Sequence, residues 1–105
     1  MSIVDKKDTS KAPMILLSVL RGPLGEVSKV LQFGNKKYHD IWNFQHIDDG
    51  EDRMLSAAVR HLMAHKDGEV LDPESGIWHL AHAACDVMMA LWFAIRESRK
   101  DDRVL

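Results

Sequence analysis

Apolar side chains recur at helical spacing along most of the chain. Leu24, Val27, Val30 and Leu31 step by three, three and one, an amphipathic helix pattern for which Gly34 is the natural stop. Pro23, directly after Gly22, suits a first helical position. Leu55, Ala58, Val59, Leu62 and Met63 form the stripe of a second helix over residues 51–66, closed by Asp67-Gly68, where glycine is available for a left-handed cap. A third helix is predicted to open on Asp72-Pro73-Glu74-Ser75, with Asp72 as cap, Pro73 in the first turn and Glu74 at the positive end of the dipole. Ile77, Leu80, Ala81, Ala84, Val87, Met88, Leu91 and Ile95 carry its apolar face.

Between these stripes, residues 35–52 hold no sustained period and predict a long loop, a place where function often resides. Residues 14–20, MILLSVL, are too short for periodicity to separate a strand from a buried turn of helix. Residues 1–12 predict a flexible segment and residues 99–105 a charged tail, with the helix fraying along RESRKDDR from Arg96. No strand pattern stands out. The expectation is an all-α fold: one compact domain over residues 13–98, built of three main helices and assembled as a helical oligomer.

Composition narrows the partners. At 105 residues the chain is one domain near the lower end of the usual range, and a chain this short gains from a partner subunit. Trp78, Trp92 and the methionine-rich segment add apolar surface that predicts self-association. A net charge of −2 and a pI near 6.3 give no electrostatic case for a nucleic-acid polymer as partner. Cys85 is the single cysteine, among Ala83, Ala84 and Val87, so a buried thiol in a reducing compartment is expected. No stretch is long and apolar enough to suggest a membrane span, and the N-terminus lacks the apolar run of a signal peptide. These features point to the cytoplasm.

The candidate chemistry lies around the third helix. His79, His82 and Asp86 are spaced by three and four residues and share one helix face. Such a stripe suits a divalent ion, although hydrogen bonds to the preceding helix account for the same spacing. Upstream, Glu69, Asp72 and Glu74 fall within six residues. Asp72 and Glu74 are explained by capping and the dipole, while Glu69 is not, which makes it the preferred carboxylate ligand or base. On the second helix, His61 and His65 share a face, and Arg60 can reach a carboxylate or phosphate. In the long loop, Lys36, Lys37, Tyr38 and Trp42 combine cations with flat rings, as a triphosphate and a purine require; a solvated lysine pair and two anchoring rings explain them equally. Phosphate-cradling, dinucleotide-binding and nucleophile-elbow motifs are absent, as is HExxH.

Three blocks, VSKVLQFGNKKYHDIWNF, AAVRHLMAHKDGEVLDPESG and HLAHAACD, resemble the N-terminal domain of the phage dATP/dGTP diphosphohydrolase family over about residues 24–93. The matching positions are Gly34, Lys37, Tyr38, Arg60, His61, Gly68, Glu69, Asp72, Glu74, Ser75, Gly76, His79, His82 and Ala83-Ala84, with His39 standing where the family often has glycine. The resemblance implies metal-dependent hydrolysis of a purine deoxynucleoside triphosphate to the monophosphate and pyrophosphate, in the cytoplasm of an infected bacterial host. In that scheme Glu69, His61 and His79 are catalytic, Asp72, Glu74, His82 and Asp86 hold Mg2+ or Mn2+, and Lys36, Lys37, Tyr38, Trp42 and Arg60 bind the nucleotide. The related MazG-like enzymes carry a helical ExxE that this chain lacks. The alternative is therefore a protein that binds or sequesters nucleotides, including host immune-signalling nucleotides, without cleaving them. A third reading makes the His/Asp stripe a subunit contact.

Overall fold

The structure is a computed structural model describing residues 16, 18–38 and 43–101. Among the described residues there are three main helices, α1 (Arg21–Tyr38), α2 (Gly50–Lys66) and α3 (His79–Asp101), with a 3-10 turn, Asn43–His46, ahead of α2 and a tight loop between α2 and α3. Among the described residues the sole extended pairing is an isolated bridge between Leu71 and Trp78. The fold is all-α.

Of the apolar run ahead of α1, Leu16, Ser18 and Val19 are helical, and Met14, Ile15 and Leu17 lie outside the described residues. Leu20 N–H donates to Leu16 O and Leu24 N–H to Leu20 O, both at 2.9 Å, and Leu16, Val19 and Leu20 are exposed. Pro23 falls in the first turn of α1, where its missing N–H is tolerated. Gly34 does not stop this helix: one interior glycine costs only about 1 kcal/mol, and Lys36 and Lys37 complement the negative end of the dipole. The long loop predicted after residue 34 is thus shortened by one helical turn before it and by the 3-10 turn within it. Asp49, with φ 54° and ψ 40°, occupies the left-handed region just before α2, a conformation that aspartate tolerates better than most residues.

At the C-terminus of α2 the chain closes as a Schellman motif. Glu69 N–H donates to Ala64 O and Gly68 N–H to His65 O, both at 3.0 Å, with Gly68 at φ 101°. Glycine is the capping residue anticipated there. The start of α3 differs from expectation. Asp72, Pro73, Glu74 and Ser75 form a turn instead of a first helical turn, because Gly76 at φ 73° reverses the chain. Asp72 N–H donates to Ile77 O at 2.8 Å, and His79 N–H to Val70 O at 2.9 Å, before the helix begins. At its far end α3 stays helical through Asp101, well into the charged run.

α2 and α3 form an antiparallel hairpin, and α1 lies mainly on α3. Val27 and Val30 of α1 pack with Ala81 and Cys85 of α3, flanked by Ile77 and Met89. Ala58, Ala83, Ala90 and Phe93 complete the buried apolar set, so helix contacts run largely through small side chains that let the backbones approach closely. The stripes expected to face the core do so only in part. Leu55, Val59, Leu62 and Met63 of α2 and Leu80, Val87, Leu91 and Ile95 of α3 are exposed. At the open end of the hairpin, Phe44 of the 3-10 turn meets Trp92 and Phe93 edge to face. Arg96 lies over both α3 rings and donates to Gln45 O at 3.4 Å.

Gly50 opens α2 directly against the Phe93 ring, and a Cβ at this position would collide with that ring. Helix propensity alone would favour alanine by about 1 kcal/mol, whereas overpacking a filled contact costs about 1–3 kcal/mol. Gly50→Ala is expected to lower the thermal unfolding midpoint; a raised midpoint would contradict this packing.

Candidate functional site

The end of α2, the capped loop and the first turns of α3 converge on three histidine rings. His61 projects from α2, while His79 and His82 lie within the first turn of α3. His79 is 4% and His82 8% exposed, a deep placement for polar rings that demands partners. The Schellman cap delivers one. Glu69 emerges from it with Oε1 2.7 Å from His79 Nε2. An ionised carboxylate only accepts hydrogen bonds, so His79 Nε2 carries the proton and donates it. In the neutral ring the Nδ1 lone pair then faces His61, whose own Nδ1 is 2.8 Å away.

A second network fixes His82. Ser75 N–H and Ser75 Oγ–H both donate to Asp72 Oδ2, at 3.0 and 2.8 Å. With its proton so used, Ser75 Oγ accepts from Ile77 N–H at 3.2 Å and from His82 Nε2–H at 2.7 Å. His82 Nε2 also stands 3.5 Å from Asp72 Oδ2. The His82 ring stacks on His61, centroids 4.6 Å apart, and the Phe33 ring of α1 meets it edge on. Proton positions follow here from the count of donors and acceptors.

Charge states follow from the surroundings. Burial, with the neighbouring His82 and His79, lowers the His61 pKa, and burial lowers that of His82 against the opposing pull of Asp72. Burial works to raise Asp72, but the two Ser75 hydrogen bonds outweigh it and hold the carboxyl below its ordinary value. Neutral imidazoles beside an ionised carboxylate are the protonation states a cation requires. His61, Asp72 and His79 each offer one ligand atom, and these atoms lie within 4.8 Å of one another. Glu69 stands behind His79 as the outer carboxylate that commonly orients a metal-binding histidine.

Five of the residues singled out in the sequence, His61, Glu69, Asp72, His79 and His82, therefore meet. Others lie apart. Glu74 forms an ion pair with Lys37 at 2.9 Å, both side chains exposed, which ties the end of α1 to the Asp72 loop. Lys36 is exposed in the last turn of α1, and Arg60 is exposed on α2 beside His61. Asp86 is half-buried on α3 outside the trio, its Oδ2 without a hydrogen-bond partner among the described residues. Trp42 and the Tyr38 side chain lie outside the described residues. Ser75 was passed over as a site residue, although an Asp followed three positions later by Ser is the signature of such a turn. Two open surface depressions lie away from the histidine cluster, around Gly50, Phe93 and Arg96 and along Trp92 to Arg99.

Comparison with known proteins supplies a family. The sequence model described as dATP/dGTP diphosphohydrolase, N-terminal, matches residues 2–103. A protein of Salmonella phage PMBT28 named dATP/dGTP diphosphohydrolase is 34% identical over 99 residues, covering 93% of this chain and 32% of that protein. The chain thus spans about a third of the length of this relative. No solved structure matches it.

Burial pushes the Asp86 carboxyl up to about 6, with Arg60 pulling in the opposite direction. A folded-state pKa above the unfolded one gives stability that is complete below the unfolded value and is lost as pH rises through the folded value. Asp86→Asn cannot ionise, so its melting temperature relative to the parent should shift in its favour between about pH 4 and about pH 7. A difference independent of pH would contradict the assignment.

Proposed function

We propose, since the chain belongs to the dATP/dGTP diphosphohydrolase N-terminal family, that it acts in metal-dependent hydrolysis of purine deoxynucleoside triphosphates. Water adds to the α-phosphorus, the bond from that phosphorus to the oxygen bridging to the β-phosphorus breaks, and the monophosphate and pyrophosphate leave. The observation that carries this reading is the joined cluster of Glu69, His79, His61 and Asp72, in which an oriented imidazole faces a second imidazole and an ionised carboxylate. A divalent ion held by His61, His79 and Asp72 would polarise the phosphate oxygens and neutralise charge developing on them.

The chain's own groups do the rest. In this reading Glu69, whose Oε1 accepts from His79, takes the proton of the attacking water on its other oxygen. Ser75 and His82 hold Asp72 in position. Arg60 and Lys36 supply exposed cations for the phosphates, and Lys37 is carried to the loop by its bond to Glu74. In this reading His61 and His79 act as metal-holding groups rather than proton carriers, and Glu74 acts through Lys37. Nucleotide binding without cleavage is the second reading. It is favoured by the lack of a helical ExxE in this chain.

Self-association belongs to the same proposal. The exposed Leu55, Val59, Leu62, Leu80, Val87 and Leu91 leave helix faces that a second copy would cover. No helix among the described residues is long and apolar enough to cross a membrane, and the cytoplasm of an infected host fits a phage relative.

Incubation of the chain with a panel of triphosphates and a divalent cation should convert dATP or dGTP to the monophosphate, with Glu69→Ala lowering kcat about 100- to 10,000-fold at unchanged helicity. A nucleotide that raises the melting temperature and is recovered intact would establish the binding reading in its place. Light scattering should give a mass at least twice the 12.0 kDa of one chain; a monomer would refute the self-association.

A further inference from the structure

Mg2+ takes oxygen ligands in near-octahedral geometry, whereas imidazole nitrogens suit zinc, cobalt, nickel and their neighbours. Two of the three ligand atoms brought together here are histidine nitrogens. We infer that the cluster selects a borderline transition ion of the zinc class over Mg2+, through His61 Nδ1, His79 Nδ1 and a carboxylate oxygen of Asp72, with Glu69 orienting His79. This deepens the reading of the site as metal-bearing and names its ion.

Hydrogen bonding prepares two of the three ligands, while His61 Nδ1, the donor to His79 Nδ1, releases its proton when the ion binds. Glu69 accepts the His79 Nε2 proton, which leaves Nδ1 as the free donor pair of a neutral ring. Both Ser75 hydrogen bonds fall on Asp72 Oδ2, so the second carboxylate oxygen keeps its lone pairs. The facing Nδ1 atoms are 2.8 Å apart, and a tetrahedral ion at about 2.0–2.1 Å from each would set them about 3.3 Å apart. His61, half-buried at the edge of the cluster, can give that half ångström by rotating its ring. The partner rings are already constrained: His79 is buried, and His82 stacks on His61 from the other side.

The test needs no nucleotide. The metal-stripped chain is titrated with Co2+, read by visible absorption, and with Zn2+ and Mg2+, read by calorimetry. One Co2+ per chain with ligand-field bands is expected, together with Zn2+ binding and no heat from Mg2+. His61→Ala should remove the bands with helicity retained. Glu69→Gln should weaken binding about 10- to 100-fold, and His46→Ala, in the exposed 3-10 turn, should leave it unchanged. Absent bands, bands that survive His61→Ala, or Mg2+ displacing Co2+ at equal concentration would overturn the inference. Zinc-class binding in a chain that hydrolyses no triphosphate would sink the hydrolase reading alone; Mg2+-supported hydrolysis without Zn2+ binding would sink this one alone.

Discussion

The contact between His79 and Glu69 is the constraint on which the rest of the site depends. A ring with 4% exposure has left water, and an unsatisfied polar group so buried costs about 1–3 kcal/mol. His79 escapes that cost by engaging both nitrogens, Nε2 with Glu69 and Nδ1 with His61. Those two bonds dictate what surrounds them. Glu69 must leave α2 at a fixed angle, which the left-handed Gly68 provides. The chain must then return within ten residues to begin α3 at His79, which the Asp72 to Ser75 turn and the left-handed Gly76 achieve. Loop, cap and helix start are thus one device, and its product is a set of imidazole rings facing an ionised Asp72.

Helix packing serves the same end. The buried faces are built mostly of Ala58, Ala81, Ala83, Cys85 and Ala90, small residues that let the helices approach closely, and His61 of α2 reaches His79 and His82 of α3. The consequence is an unusual distribution of apolar surface: the large aliphatic residues of α2 and α3 face outward and the small ones inward. A protein arranged in this way has a polar junction at one end of its hairpin, an aromatic clasp of Phe44, Trp92 and Phe93 at the other, and apolar flanks between them.

Much of this was legible in the sequence, and the misreadings have physical causes. Three helices and the Gly68 cap follow from periodicity and from glycine's tolerance of positive φ. The shared face of His79 and His82 follows from a spacing of three, and Glu69 stood out because no capping role explained it. Asp72 was misplaced as a helix cap because the chemistry of a cap and of this turn is the same: an oxygen accepting the N–H three residues on. Only the sign of φ at Gly76 separates them, and a sequence does not display it. The inward face was misassigned because hydrophobic periodicity weights large residues, while close helix approach is made by small ones. Lys37 and Glu74 carried separate roles in the sequence, and their ion pair spans 37 positions, beyond the reach of any local pattern. Asp86 shares a helix face with His82 but lies outside the trio of possible ligands, since the ligand atoms of His61 and Asp72 come from other elements.

The central claim, that a metal ion and a purine nucleotide meet at the junction of His61, Asp72 and His79, is tested most directly by a crystal structure with Co2+ and a non-hydrolysable dATP analogue. The account predicts anomalous density bounded by the two Nδ1 atoms and Asp72, with the triphosphate seated on it and the α-phosphorus turned toward Glu69. A nucleotide lodged instead along Trp92 to Arg99, with His61 and His79 still joined nitrogen to nitrogen and no anomalous peak between them, would contradict it.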